Sequence, residues 1–269
     1  MKAAYPERIV CLTEEPTETL YLLGEQDRIV GISGFTVRPK QARREKPKVS
    51  AFTSAKIDKI LDLKPDLVVG FSDLQADIAA ELIKAGTTVL IFNHRSVQEI
   101  LNMILTLGSM VGAADRAFTL VAGYQQRIGE LQEKAAQASL KPRVYFEEWD
   151  DPQITGIRWA GELIEIAGGV DCFADLHWAS LGKDRILADP LEVVRRQPDI
   201  IIGSWCGKKF RPEKVAARAG WHSVPAVCDG ELHEIKSVDI LQPGPAALSD
   251  GLEQLVAIVE AWRRRGQNT

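Results

Sequence analysis

Two short apolar runs in this chain are nearly the same: PDLVVGF at Pro65–Phe71 and PDIIIGSW at Pro198–Trp205. Neither alternates between apolar and polar positions. Each therefore predicts a strand buried on both faces, as in a parallel sheet covered by helices. A helix-like pattern precedes each run, with Ile57, Ile60, Leu61 and Leu63 before the first and Leu191, Val193 and Val194 before the second. Proline has no N–H to continue a helical ladder, so it ends each of these patterns, and an Asp then opens the strand. The recurrence predicts two similar α/β lobes.

The rest of the pattern fits that division. In the first lobe it predicts strand Arg8–Leu12, helix Thr17–Leu23 stopped by Gly24, and strand Arg28–Ile32. A loop through Phe35 and Pro39 leads to a short extended piece, Val49–Phe52. Ser54 reads as the cap of the next helix, and PDLVVG is followed by helix Gln75–Ala85 and strand Thr88–Phe92. Ser96 and Glu99 form a capping box for a helix reaching Val111. Beyond Gly112, Phe118, Val121, Tyr124, Ile128 and Leu131 recur at helical spacing without a proline. This predicts one long helix, about 40 Å at about 1.5 Å per residue, joining the lobes. The second lobe then restarts with strand Arg143–Phe146 and a helix carrying Leu163, Ile164 and Ile166 that ends at Gly168 and Gly169. Asp189 caps helix Pro190–Arg196, PDIIIG is a strand, Val224–Cys228 and Leu232–Ile235 read as two more, and a helix spans Ala246–Arg264. The expected division is 1–112 for the N-terminal lobe, 113–140 for the connecting helix and 141–269 for the C-terminal lobe.

Composition narrows the function classes. A chain of 269 residues, 45% hydrophobic and 26% charged, is ordinary for two packed lobes. No apolar run reaches the roughly 18 residues of a membrane span. The net charge of −4 offers no basic field for nucleic acid. Cys11, Cys172, Cys206 and Cys228 lack CxxC or Cys/His spacing, which argues against a metal site. Strand Arg8–Leu12 begins so soon after Met1 that no leader fits, and this predicts a cytoplasmic chain with reduced thiols, or a periplasmic one if a leader was removed.

The motifs RIVCLTEEPTETLYLLG, DRIVGISGF, IDKILDLKPDLVVGF, ELIEIAGG, VVRRQPDIIIGS and ILQPGPAALSDGLEQL, in this order and around a long helix, resemble the substrate-binding proteins of cobalamin and ferric-siderophore uptake. The resemblance covers nearly the whole chain. It implies two Rossmann-like α/β parallel-sheet lobes joined by one long helix, with a ligand cleft between the lobes. It also implies a non-enzymatic, monomeric binder of a corrinoid such as cobalamin, or of a ferric siderophore for an ABC importer, with no cofactor required.

By position, the resemblance places Phe35 and Phe71 among the ligand contacts of the first lobe, with Phe52 beside them; Trp149, Trp178, Trp205 and Phe210 would serve in the second. Arg158, Lys208 and Arg211 surround these aromatics and suit an anionic group on the ligand. Exported members of the class present one Glu per lobe to a permease. Ala76 or Asp77 and Leu241 stand near those places here, so a paired acidic docking surface is not expected. Haem is disfavoured, because Tyr5, Tyr21, Tyr124 and Tyr145 and the four His lie in other settings. A rival reading of a different class is a two-lobed transferase resembling glycosyltransferases, with Glu147, Glu148, Asp150 and Asp151 as acid and base groups. Against it, the chain has no GxGxxG, GxxxxGK[ST] or GxSxG motif.

Overall fold

The structure, a computed structural model, describes residues 4–266. The chain folds as two compact units. One comprises residues up to His94 with Gln98–Gly123 and Gln242–Ala246; the other comprises Arg95–Val97, Tyr124–Leu241 and the chain from Ala247 on.

The first unit holds five strands: β1 (Ile9–Cys11), β2 (Ile29–Ser33), β3 (Lys48–Ser50), β4 (Leu67–Phe71) and β5 (Val89–Phe92). They lie in the order β3-β2-β1-β4-β5 and every pairing is parallel. Val10, Leu12, Val68, Ile60 and Leu82 pack together between sheet and helices, which is why the strand sequences show no alternation.

The second unit holds β6 (Arg143–Asp150), β7 (Gln153–Thr155), β8 (Val170–Asp171), β9 (Ile200–Gly203) and β10 (Leu232–Glu234). Its order is β10-β9-β6-β7, with β8 also paired to β6. β8, β9 and β10 run parallel to their neighbours and β7 runs antiparallel to β6. One helix, Ala114–Gln137, starts among the residues of the first unit and ends among those of the second. Its 24 residues correspond to about 36 Å at about 1.5 Å each.

The twin motifs occupy matching places in different sheets. PDLVVGF forms β4 beside β1, and PDIIIG forms β9 beside β6, the first strand of its own unit. The same local bonds fix both. The Asp66 carboxylate accepts from the backbone N–H of Glu7 (2.7 Å) and Arg8 (3.0 Å), while Asp199 accepts from that of Arg143 (2.7 Å). The Arg that begins each first strand donates to the end of the preceding helical run, Arg8 Nε to Leu63 O (3.0 Å) and Arg143 Nε to Arg196 O (2.9 Å). The residue before each proline, Lys64 (φ 49°) or Gln197 (φ 45°), is left-handed, so the chain turns sharply out of the helix into the strand. The repeated phrase thus encodes a repeated staple.

Four sequence expectations are corrected here. Val224–Cys228 is not a strand, because Pro225 starts a short helix, Pro225–Cys228. Lys40–Glu45 is a helix within the expected loop after Phe35. The helix after Ser54 begins at Ile57, with Lys56 and not Ser54 at its N-cap. The second sheet is also not wholly parallel: β6 runs on past its parallel partners and folds back as β7 across Asp151 and Pro152.

Candidate functional site

Ligands of open parallel sheets sit beyond the carboxyl ends of the strands, so the candidate residues of each unit are those that follow its strands, β1, β2 and β4 in the first and β6, β8 and β9 in the second. After β1 the helix Glu14–Leu22 opens on two carboxyl groups that are both buried. Glu14 accepts from the Val37 N–H (3.0 Å), and the Thr13 hydroxyl donates to Glu15 (2.6 Å). Glu18, one turn on, accepts from Arg38 Nε (2.9 Å) and from the Ala246 N–H (3.1 Å). A helix N-terminus favours carboxylates, yet here burial wins. Burial, reinforced by the neighbouring Glu15, pushes Glu14 up to about 8, and burial pushes Glu15 up to about 7.

After β4, Gln75 ties two candidate aromatics together. Its side chain accepts from the Phe71 N–H (3.0 Å) and donates to the Phe52 carbonyl (2.9 Å). Phe71 is buried, with its ring 4.9 Å from that of His94, and Phe52 is half-buried. Phe35, after β2, is 61% exposed.

The second unit concentrates its chemistry around Glu147. This fully buried carboxylate accepts from the Tyr145 hydroxyl (3.0 Å), Trp205 Nε1 (3.0 Å) and both terminal nitrogens of Arg218 (2.6 and 2.9 Å). Burial, with Glu147 adding to it, drives the Tyr145 phenol well above its ordinary range, so Tyr145 serves as a donor. Two other acids of the FEEWDDP run also have partners: Glu148 pairs with buried Arg185 (2.7 Å) and Asp150 with Lys208. These ion pairs give Glu147, Glu148 and Asp150 structural roles. Near Trp178, His177 Nε2 lies 2.8 Å from Asp171, and that hydrogen bond raises the His177 pKa.

The ten expected contact residues fall into three groups. Phe35 and Trp178 stand open, at 61% and 75% exposure, and occupy matching places: Phe35 follows β2, the parallel partner of β1, and Trp178 follows β8, the parallel partner of β6. Arg211 is also exposed, with Glu213 at a loose 3.7 Å. Phe52 and Trp149 are half-buried, and two cations are already engaged. Arg158 pairs with Glu162 one turn along its helix (2.7 Å), and the Lys208 ammonium lies 4.1 Å above the Trp149 ring. Phe71, Trp205 and Phe210 are buried. Trp205 and Phe210, expected as ligand contacts, are core residues of the second unit, with rings 5.0 Å apart. An indole N–H inside a protein needs an acceptor, and Glu147 supplies it; Phe210 fills the space over Gly203 that a side chain would otherwise take.

Glu14, Glu15, Gln75 and Arg218 were not singled out from the sequence. The one signal was TEEPTET directly after an apolar strand, where a capping turn is the ordinary reading. Among the described residues no group of three or more His, Cys, Asp or Glu is placed to hold a metal, and no helix is long and apolar enough to cross a membrane.

The chain is similar to known proteins in sequence and in fold. An ABC transporter substrate-binding lipoprotein of Bacillus subtilis is 28% identical over 260 residues, covering 93% of this chain and 79% of the relative. A cobalamin-binding protein of Halobacterium salinarum is 25% identical over 246 residues, covering 89% of this chain and 66% of its own length. Among solved structures, a possible iron-binding, periplasmic solute-binding protein of Staphylococcus epidermidis matches with a TM-score of 0.80 at 20% identity. That match covers 95% of this chain and 99% of the other, and at such identity it establishes the shared two-lobed fold. One of these proteins is named a lipoprotein and another a periplasmic protein, and these names lend no support to a cytoplasmic assignment. Residues 9–238, which include strands of both sheets and the helix that runs from one unit to the other, match one family of non-enzymatic binding proteins; the chain belongs to the periplasmic binding protein family.

Proposed function

We propose that the protein binds a corrinoid, cobalamin or a close analogue, and delivers it to an ABC importer. The observation that carries this reading is the matched pair of open aromatics, Phe35 and Trp178. Large rings held out in water after equivalent strands suit a broad, flat, largely apolar ligand, since each gains about 25 cal/mol per Å² of apolar surface covered. The naming of the Halobacterium salinarum relative as a cobalamin-binding protein supports the same ligand. Arg211, exposed and loosely paired, adds a cation suited to the phosphodiester of a complete cobalamin.

A ferric siderophore is the second reading, favoured by the iron-binding description of the Staphylococcus epidermidis structure. Titration followed by tryptophan fluorescence, with cyanocobalamin, cobinamide and a ferric trihydroxamate as probes, tests the two. The corrinoid reading expects both corrinoids to quench and the trihydroxamate to have no effect; the reverse pattern overturns it. Phe35→Ala and Trp178→Ala should each weaken both corrinoids about tenfold. Arg211→Ala should weaken cyanocobalamin by about tenfold or more, in line with roughly 1.5–3 kcal/mol for a charge-assisted bond, and leave cobinamide, which lacks the phosphodiester, nearly unchanged. Equal losses for the two corrinoids would remove Arg211 from the site.

A further inference from the structure

We infer that Glu147 is the positioning residue of the 204–211 segment, the loop after β9 that carries Lys208, Lys209 and Arg211. The inference rests on the proposed function only in taking that loop as part of the recognition surface.

Four observations carry it. First, the Glu147 carboxylate is wholly buried and its acceptor capacity is filled: one oxygen takes Trp205 Nε1 and an Arg218 nitrogen, the other takes the Tyr145 hydroxyl and the second Arg218 nitrogen. Second, Glu147 holds the loop at two successive residues, because its backbone carbonyl accepts from the Ser204 N–H (2.8 Å) while its side chain holds the Trp205 indole. Third, the bond that closes the loop on itself, from the Lys208 N–H to the Trp205 carbonyl, is long at 3.4 Å. Within the loop the Trp205 ring is also met by the Phe210 ring (5.0 Å) and by the Lys208 ammonium (5.2 Å), and other ties reach outside it. The Phe210 N–H donates to Glu234 (3.0 Å), the Phe210 ring sits over Gly203, and Lys208 pairs with Asp150 above the Trp149 ring. Fourth, Arg218 stacks 4.6 Å over Trp221, so the guanidinium that grips Glu147 is itself held in place. The loop's ring contacts converge on Trp205, and Glu147 is the anchor that holds Trp205 at the loop's start.

Glu147 thereby acts on ligand recognition through Trp205 and not by contact. A buried, bidentate carboxylate under an exposed cationic loop presents Lys209 and Arg211 in one arrangement before ligand arrives, which lowers the ordering cost of binding.

Hydrogen–deuterium exchange of the ligand-free protein, comparing wild type, Glu147→Gln and Arg218→Lys, tests the inference. In Glu147→Gln the amides of 204–211 should exchange about tenfold or more faster, beyond any change in the β6 and β9 amides, and the Trp205 indole N–H resonance should move. Arg218→Lys keeps the charge but loses the fork, and should give a smaller change of the same kind. It also keeps the test decisive should Glu147→Gln fail to fold. Exchange that rises equally in loop and strands, or an unmoved indole resonance, overturns the inference and leaves Glu147 a general stabiliser. With cyanocobalamin, at a temperature where each variant is fully folded, affinity should fall about tenfold for Glu147→Gln and about threefold for Arg218→Lys. A loosened loop with unchanged affinity overturns the link to recognition. If wild type binds no corrinoid, the proposed function fails, while the exchange result still decides whether Glu147 positions the loop.

Discussion

Glu14→Gln is expected to stabilise the protein at pH 8 by about 4 kcal/mol, and to have almost no effect at pH 4. Burial, with the neighbouring Glu15, raises the folded-state pKa of Glu14 from 4.5 to about 8. Between those values the folded protein retains a proton that the unfolded chain has released. Stability therefore falls as pH rises through this window, is greatest below about 4.5 and levels off above about 8. Gln removes the titration and still accepts from the Val37 N–H, which Glu14 holds at 3.0 Å. Glu15→Gln should act in the same direction over a narrower window, from 4.5 to about 7. The two carboxyls are adjacent and interact, so the double variant should gain less than the sum. Thermal melts across pH 4 to pH 9 check this; parallel curves for wild type and variant would show that Glu14 is not held neutral by its surroundings.

Gly203→Ala is the second large effect. A Cβ at position 203 would lie 1.9 Å from the Phe210 ring, and that ring is 2% exposed and fixed against Trp205. No small adjustment relieves such an overlap, so the ring must leave its seat. Losing the burial of a phenylalanine costs about 3 kcal/mol, near the upper end for overpacked cores. The expected result is a drop of that size in the denaturation free energy. The Phe210 N–H bond to Glu234 (3.0 Å) should also be lost, and it is visible as faster amide exchange. Gly203→Ala combined with Phe210→Ala should recover part of the loss, because the collision is removed along with the ring. A single variant as stable as wild type would contradict the close packing of ring on backbone.

The fold was legible in the sequence wherever a physical rule forces one outcome. The unalternating runs at Leu67–Phe71 and Ile200–Gly203 had to be buried strands, and the helical spacing through Phe118, Val121 and Ile128 had to be a long helix. Legibility ended where tertiary partners decide. Val224–Cys228 is rich in strand formers, but Pro225 at the first helical position suits a short helix. β8 is only two residues long and exists because β6 offers it an edge.

At the candidate site, Phe35 and Trp178 lie in loops after strands and are exposed there. Trp205 and Phe210 stand in similar places, yet turn inward because a buried acid 58 positions earlier in the chain, Glu147, accepts the indole N–H. A pattern along one strand says nothing of a carboxylate on the next. The same limit hid Glu14 and Glu15, whose N-terminal helical position favours charge while their burial, a property of the assembled unit, opposes it.

The paired Asp staples bear on how the chain reaches this structure. In the first unit the staple joins residues 58 positions apart, Arg8 and Asp66; in the second it joins residues 56 apart, Arg143 and Asp199. The entropy of closing a chain segment grows with the logarithm of its length, so the two closures differ by only roughly 0.03 kcal/mol. Neither half has a topological head start. Which half assembles first is left to the residues inside each segment and to the direction of synthesis, in which the Arg8–Asp66 segment leaves the ribosome before the other exists.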